Sequence, residues 1–145
     1  MKKWLCLALA LLTLTVCVWA AAESTDWNYD LNYAILRGYN GAGGDVVVPA
    51  EIDGFTVDVI GINVFKGDTI TSLTLPETVL ELRSGAVASC ENLASVTLPQ
   101  SLVVINRMNF FSCNALSEIT IPAGVRYIGD GSFRFCDALR KITFE

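Results

Sequence analysis

The chain has 145 residues, of which 52% are apolar, 17% charged and none histidine. That length suits one domain, and that composition is too apolar for a disordered chain. A net charge of −5 with no basic stripe argues against nucleic acid and anionic membranes as partners, and the absence of histidine excludes imidazole metal ligands, Ser-His-Asp and Cys-His catalysis and a histidine pH switch.

The apolar residues are unevenly spread. Residues 1–22 hold 18 of them, while residues 23–145 hold 58, about 47%, an ordinary globular fraction. Met1-Lys2-Lys3 gives a short positive start, Trp4 to Trp19 carries no charge, and Ala20-Ala21-Ala22 places small residues before Glu23. This is the layout of a secretory signal peptide over residues 1–22. It predicts a mature chain of net charge −7 (−5 less Lys2 and Lys3), secreted or at the cell surface and away from the membrane after cleavage. A retained anchor is the rival reading, since Trp4–Ala22 is 19 residues and long enough to span. A lipid-modified Cys17 is disfavoured by Val16, where a small residue is wanted.

Residues 23–45 read as an N-terminal cap. Trp27, Tyr29, Leu31, Tyr33 and Ile35 alternate with polar or small residues, which predicts a half-buried strand covering the first coil of the remaining chain. Gly38, Gly41, Gly43 and Gly44 predict a turn after it. An aromatic site for a sugar is the functional alternative for this segment. Gly41-Ala42-Gly43-Gly44 precedes a strand and not a helix, so it is not a phosphate cradle.

From there the chain repeats. Cys90, Cys113 and Cys136 are spaced by 23 residues, as are Pro76, Pro99 and Pro122. Cut at that period, the units are 73–95, 96–118 and 119–141, with a partial unit at 142–145 and a looser one at 46–72. Apolar columns run through them: Leu73, Val96, Ile119 and Ile142; Leu75, Leu98, Ile121 and Phe144; Leu82, Ile105 and Ile128; Val87, Phe110 and Phe133. In the first unit the gap from Pro49 to Ile60 is 11 residues against 6 elsewhere, the extra length surrounds the turn dipeptide Asp53-Gly54, and Asp68 stands in the cysteine column. No unit is large enough to bury its own apolar face, whereas stacked units share one core. The expected fold is a mainly β repeat solenoid of about four coils. Its Leu-Thr-Leu segments form a parallel strip, its Val-x-x-Ile segments a second, and turns with short helical pieces lie between them.

The pattern Leu-x-x-Ile-x-Leu-Pro-x-x-Leu-x-x-Ile-x-x-x-x-Phe-x-x-Cys, with Gly44 to Pro49 and Asp53-Gly54-Phe55 as entry, resembles the BspA-like leucine-rich repeat of surface proteins from bacteria and some protozoa. The resemblance covers about residues 33–145 and implies a right-handed leucine-rich-repeat-like solenoid without a shared catalytic motif, associated with adhesion and with binding of host or neighbouring-cell molecules. Val87 departs from it, standing where the pattern has an aromatic residue.

The remaining motifs fit the repeat. Leu75-Pro76-Glu77-Thr78 looks like a sorting signal, but Val79 comes next and the same columns recur as Leu98-Pro99 and Ile121-Pro122. The cysteine column predicts buried free thiols acting as small apolar residues, because parallel Cβ vectors on coils about 4.8 Å apart suit neither a disulfide nor a zinc site. The carboxylates, Asp45 and Asp68 among them, form no repeat column and read as solvated surface. One polar pattern does repeat. Thr74, Thr97, Thr120 and Thr143 lie between core residues and face outward, with Ser72, Ser95, Glu118 and Lys141 two residues earlier on the same face. Threonine favours strands and pairs across them, so this strip has a purely structural explanation. As a functional surface it would dock an extracellular protein or glycan, as exposed solenoid faces do. The expected function is therefore binding or adhesion, with a structural spacer as the alternative and no enzyme, cofactor or metal. Ile142, Phe144 and Leu139 lie where the last coil opens, which predicts self-association there.

Overall fold

In the computed structural model, which describes residues 26–145, each unit folds into one coil carrying two short strands. The expected signal peptide lies outside the described residues. Alternation in Leu73-Thr74-Leu75 and its copies sends every second side chain inward, so successive coils pair edge to edge with like residues in register. Strands β3 (Gly44–Val47), β7 (Ile70–Thr74) and β9 (Ser95–Thr97) form one parallel sheet, and β11 (Glu118–Ile121) and β13 (Lys141–Phe144) another. Leu73 pairs with Val96, and Ile119 with Ile142, as the 23-residue columns require.

The Val-x-x-Ile segments build the second strip. Strands β6 (Val59–Ile60), β8 (Glu81–Leu82), β10 (Val104–Ile105) and β12 (Tyr127–Ile128) run parallel, so that Ile60, Leu82, Ile105 and Ile128 succeed one another across the sheet. Strand β2 (Ile35–Tyr39) extends this sheet on the side of the first coil, and β1 (Trp27–Asp30) pairs antiparallel with β2 at its edge. Between the strips lies one continuous core that includes Leu36, Ile60, Phe65, Leu82, Ile105 and Phe110, all fully buried. Phe133 shares the Phe110 column and stacks on its ring but is only half-buried.

Three local features differ from expectation. Residues 27–35 are not one strand. The Asp30 carboxylate accepts the Asn32 N–H at 2.9 Å, and Ala34 lies in the left-handed region (φ 52°), so the chain reverses between β1 and β2 and leaves Leu31 and Tyr33 exposed. Gly38 falls within β2 and Gly44 opens β3, so neither belongs to the expected turn. The short helical pieces are turns, at residues 62–67, 84–89, 107–112 and 130–135. Each contains a left-handed residue near its start (Asn63, Gly85, Met108, Gly131) and another near its end (Gly67, Ser89, Ser112, Phe135), a conformation that a right-handed helix does not tolerate.

The extra length of the first unit forms a separate hairpin. Strands β4 (Glu51–Ile52) and β5 (Phe55–Thr56) pair antiparallel across Asp53 (φ 52°) and Gly54 (φ 83°), the two left-handed positions that a two-residue hairpin turn needs.

Candidate functional site

The outward face of the first strip carries two polar columns. Parallel pairing aligns Asp45 with Ser72 and Ser72 with Ser95, and the repeat continues the column through Glu118 and Lys141. The second column runs Val47, Thr74, Thr97, Thr120 and Thr143. Two members were not visible in the sequence. Asp45 falls just before the first unit as cut at residue 46, and exposed Val47 replaces the threonine of later coils. Asp45 thus joins a mixed polar column with Ser72 and Ser95. Its carboxylate accepts the hydroxyls of Ser72 at 2.7 Å and Thr71 at 2.9 Å, and these bonds hold it below the usual carboxylate range.

The strip is interrupted. Among the described residues no strand ladder joins β9 to β11, so it is two sheets and not one. On the near side, Ala94 N–H reaches Thr71 O at 2.8 Å; on the far side, Arg140 N–H reaches Ser117 O at 2.9 Å. Across the back of the same two coils the bonds persist, with Arg126 N–H to Val103 O at 2.9 Å and Phe110 N–H to Ser132 O at 2.8 Å. The coils thus part on one face only. The residue spacing is the same 23 on both sides, and nothing in the repeat explains the split.

A groove of about 680 Å³ lies along this split. Ser95, Thr97, Glu118, Thr120, Lys141 and Thr143 line it, whereas Ser72 and Thr74 lie outside. Val96, Leu98, Ile119 and Pro122 add apolar surface. At one end Gln100 N–H donates to Glu77 Oε2 at 3.0 Å, and the Gln100 side-chain amide donates to Glu145 Oε2 at 2.6 Å, two coils away. The lining therefore holds three carboxylates, Glu77, Glu118 and Glu145, against one ammonium, Lys141.

The cysteines form a ladder of a different kind from that expected. All three are free. Cys90 donates its thiol hydrogen to Phe65 O at 2.8 Å, Cys113 to Val87 O at 3.2 Å and Cys136 to Phe110 O at 2.9 Å, each reaching back one coil. They are donors to buried carbonyls as well as apolar filler, and Cys136 is only half-buried. Burial pushes the Cys90 and Cys113 thiols up to about 12 and raises Cys136 as well. Burial likewise raises the carboxyl of Asp68, which takes the cysteine position in the first unit. Among the described residues no group of three or more His, Cys, Asp or Glu side chains could hold a metal ion.

A stack of coils with two strips of short parallel strands around a shared apolar core defines a leucine-rich-repeat solenoid. Residues 52–145 match the family model of the BspA type leucine rich repeat region in six copies, and the chain belongs to that family. Its structure is similar to that of a leucine-rich repeat protein from Bacteroides capillosus, with a TM-score of 0.71 and 33% identity over 82% of this chain and 92% of that one. It is also similar to the leucine rich repeat protein of T. pallidum, with a TM-score of 0.61 and 25% identity over 80% and 66% of the two chains. A leucine rich cell surface protein from Faecalibacterium prausnitzii shares the fold, with a TM-score of 0.56 and 24% identity over 82% and 40%. Comparison with curated proteins gives no match.

Proposed function

We propose that this chain is an extracellular or cell-surface binding module that docks a protein or glycan on the outward face of its first strip. The observation that carries this reading is the groove between β9 and β11. It concentrates Ser95, Thr97, Glu118, Thr120, Lys141 and Thr143 around a break in the strip, where a uniform spacer would present an unbroken sheet. The leader-like residues 1–22 support export.

The test has two parts. Intact-mass analysis of exported protein is expected to show a mature start at Glu23, and retention of Trp4–Trp19 would favour an anchor. Labelled protein is then applied to arrays of extracellular proteins and glycans, alongside Thr97→Lys and Thr120→Lys variants with unchanged circular dichroism. Binding that disappears in the variants supports the reading. Absence of binding, or binding that ignores both substitutions, leaves the spacer as the better description.

A further inference from the structure

The second strip carries a column of its own on the side of the coils away from the groove. Leu80 N–H bonds Asp58 O at 2.8 Å, Val103 N–H bonds Leu80 O at 2.9 Å and Arg126 N–H bonds Val103 O at 2.9 Å. These four residues therefore succeed one another coil by coil, where the chain enters β6, β8, β10 and β12. Leu80 is 47% exposed, Arg126 is exposed, and Asp58 and Val103 are half-buried. The order along the stack is acid, apolar, apolar, base. Beside it the outward strand positions run Val59, Glu81, Val104 and Tyr127. Glu81 accepts the Asn106 side-chain amide at 2.8 Å and lies 3.9 Å from the Arg83 guanidinium.

Two features say what this face fits. Its charge balances, Asp58 and Glu81 against Arg83 and Arg126, on a chain whose net charge is −5. A second copy of the chain, which the rest of an acidic surface repels, meets no net repulsion here. The column is also complementary to its own reverse. Asp58 and Arg126 are three coil steps apart, about 14 Å at about 4.8 Å per step, too far to pair within one chain. Among the described residues neither has an ion-pair partner. A copy turned over about a two-fold axis parallel to the strands runs the same column the other way. Asp58 then faces the partner's Arg126 and Leu80 faces the partner's Val103, and each contact occurs twice, as an isologous interface requires. In the neighbouring column Val59 meets the partner's Tyr127, while Glu81 keeps its own Asn106 and Arg83 contacts.

We infer that this chain pairs with a second copy of itself through the outer face of the second strip, stack against stack in opposite directions. The contact covers two columns over four coils, less than a standard interface of about 800 Å² per partner, so the pairing is weak and shows at high protein concentration. It goes beyond the proposed docking role and uses none of the groove residues.

The assay is sedimentation velocity over a concentration series up to about 1 mM, in a Phe144→Lys background that takes the exposed end of the last coil out of the comparison. The parent is expected to move from monomer toward dimer. Leu80→Glu is expected to weaken pairing roughly tenfold or more, and Asp58→Lys or Arg126→Glu alone roughly tenfold, since each turns two attractions into two repulsions. Circular dichroism checks that each variant keeps its fold. Mixing the Asp58→Lys and Arg126→Glu proteins is expected to restore pairing, because both ion pairs re-form between the two chains, one of them with its signs exchanged. No association of the parent, association that ignores Leu80→Glu or the single charge substitutions, or a mixture that pairs no better than its components would each overturn the inference. Should Asp58→Lys fail to fold, Leu80→Glu and Arg126→Glu decide the question, and unchanged association in either overturns it. Ligand binding in the groove does not enter these readouts, so the proposed docking face stands or falls separately.

Discussion

The three free thiols are expected to alkylate in a fixed order, Cys136 well ahead of Cys90 and Cys113. Only a thiolate attacks iodoacetamide. At pH 8 a thiol at the ordinary value of 9.0 is about one-tenth ionised, whereas one pushed up to about 12 is ionised to about one part in ten thousand. Ionisation alone therefore slows Cys90 and Cys113 by about 1,000-fold. Full burial adds to this, because the reagent reaches them only when coils open. Cys136 is half-buried and its carbonyl partner Phe110 is on the preceding coil, so local opening of residues 119–141 suffices to expose it. The assay is iodoacetamide labelling at pH 8, quenched over time and mapped by peptide mass spectrometry, with a guanidinium-unfolded control. Equal rates for all three thiols, at the unfolded rate, would refute both the burial and the donor ladder. The same ladder makes stability depend on pH. Between pH 9 and about 12 the unfolded chain releases two protons that the folded chain keeps on Cys90 and Cys113. Stability therefore falls as pH rises through that window, and these thiols leave it unchanged at lower pH. Denaturant midpoints at pH 8 and pH 10.5 measure the slope, which a Cys90→Ala, Cys113→Ala protein is expected to reduce.

Phe110→Ala is expected to cost roughly 3–5 kcal/mol as a fully buried aromatic, and Phe133→Ala less, while exposed Thr97→Ala stays within about 0.5 kcal/mol. Urea titrations check the order, and the stacked Phe110–Phe133 pair, with ring centroids 5.5 Å apart, should show a coupling of about 0.5–1.5 kcal/mol in a double-mutant cycle. Met108→Gly is expected to stabilise by up to about 1 kcal/mol, since Met108 holds φ 58° in a column where Gly85 and Gly131 carry no such strain; a lower thermal midpoint would contradict this. Ile142 and Phe144, 38% and 67% exposed, are expected to drive self-association that Phe144→Lys suppresses; identical light scattering from both proteins across a concentration series would count against it.

The 23-residue period made the core legible. Leu82, Ile105 and Phe110 could be placed inward because a stack repeats the same environment at the same position, and one column fixes its neighbours. Asp53-Gly54 was legible as a turn because only left-handed-tolerant residues suit a two-residue hairpin. What escaped were features that periodicity averages away. Asp45 was hidden because it precedes residue 46, where the first unit begins, and so falls outside every unit. The thiol donors were hidden because a cysteine at an apolar position reads as a small hydrophobe. The reversal at Asp30–Ala34 was hidden because alternation in Trp27, Tyr29 and Leu31 matches a strand whether or not the chain turns back. Of the polar face, the columns were legible, but the split between β9 and β11 was not, since identical spacing on both sides predicts an unbroken strip.

The hairpin at Asp53-Gly54 has a practical use. Five additional residues enter the first unit, and Ile60 still takes its place beside Leu82. The added length folds upon itself and passes no displacement to the later coils. That corner is a natural insertion port. A fluorophore-binding tag or an epitope loop grafted between Asp53 and Gly54 should ride outside the stack, giving a reporter on a face remote in sequence from the groove. The same tolerance lets tandem duplication in this kind of array proceed without strict control of unit length, provided that the surplus falls at a corner where the chain can double back.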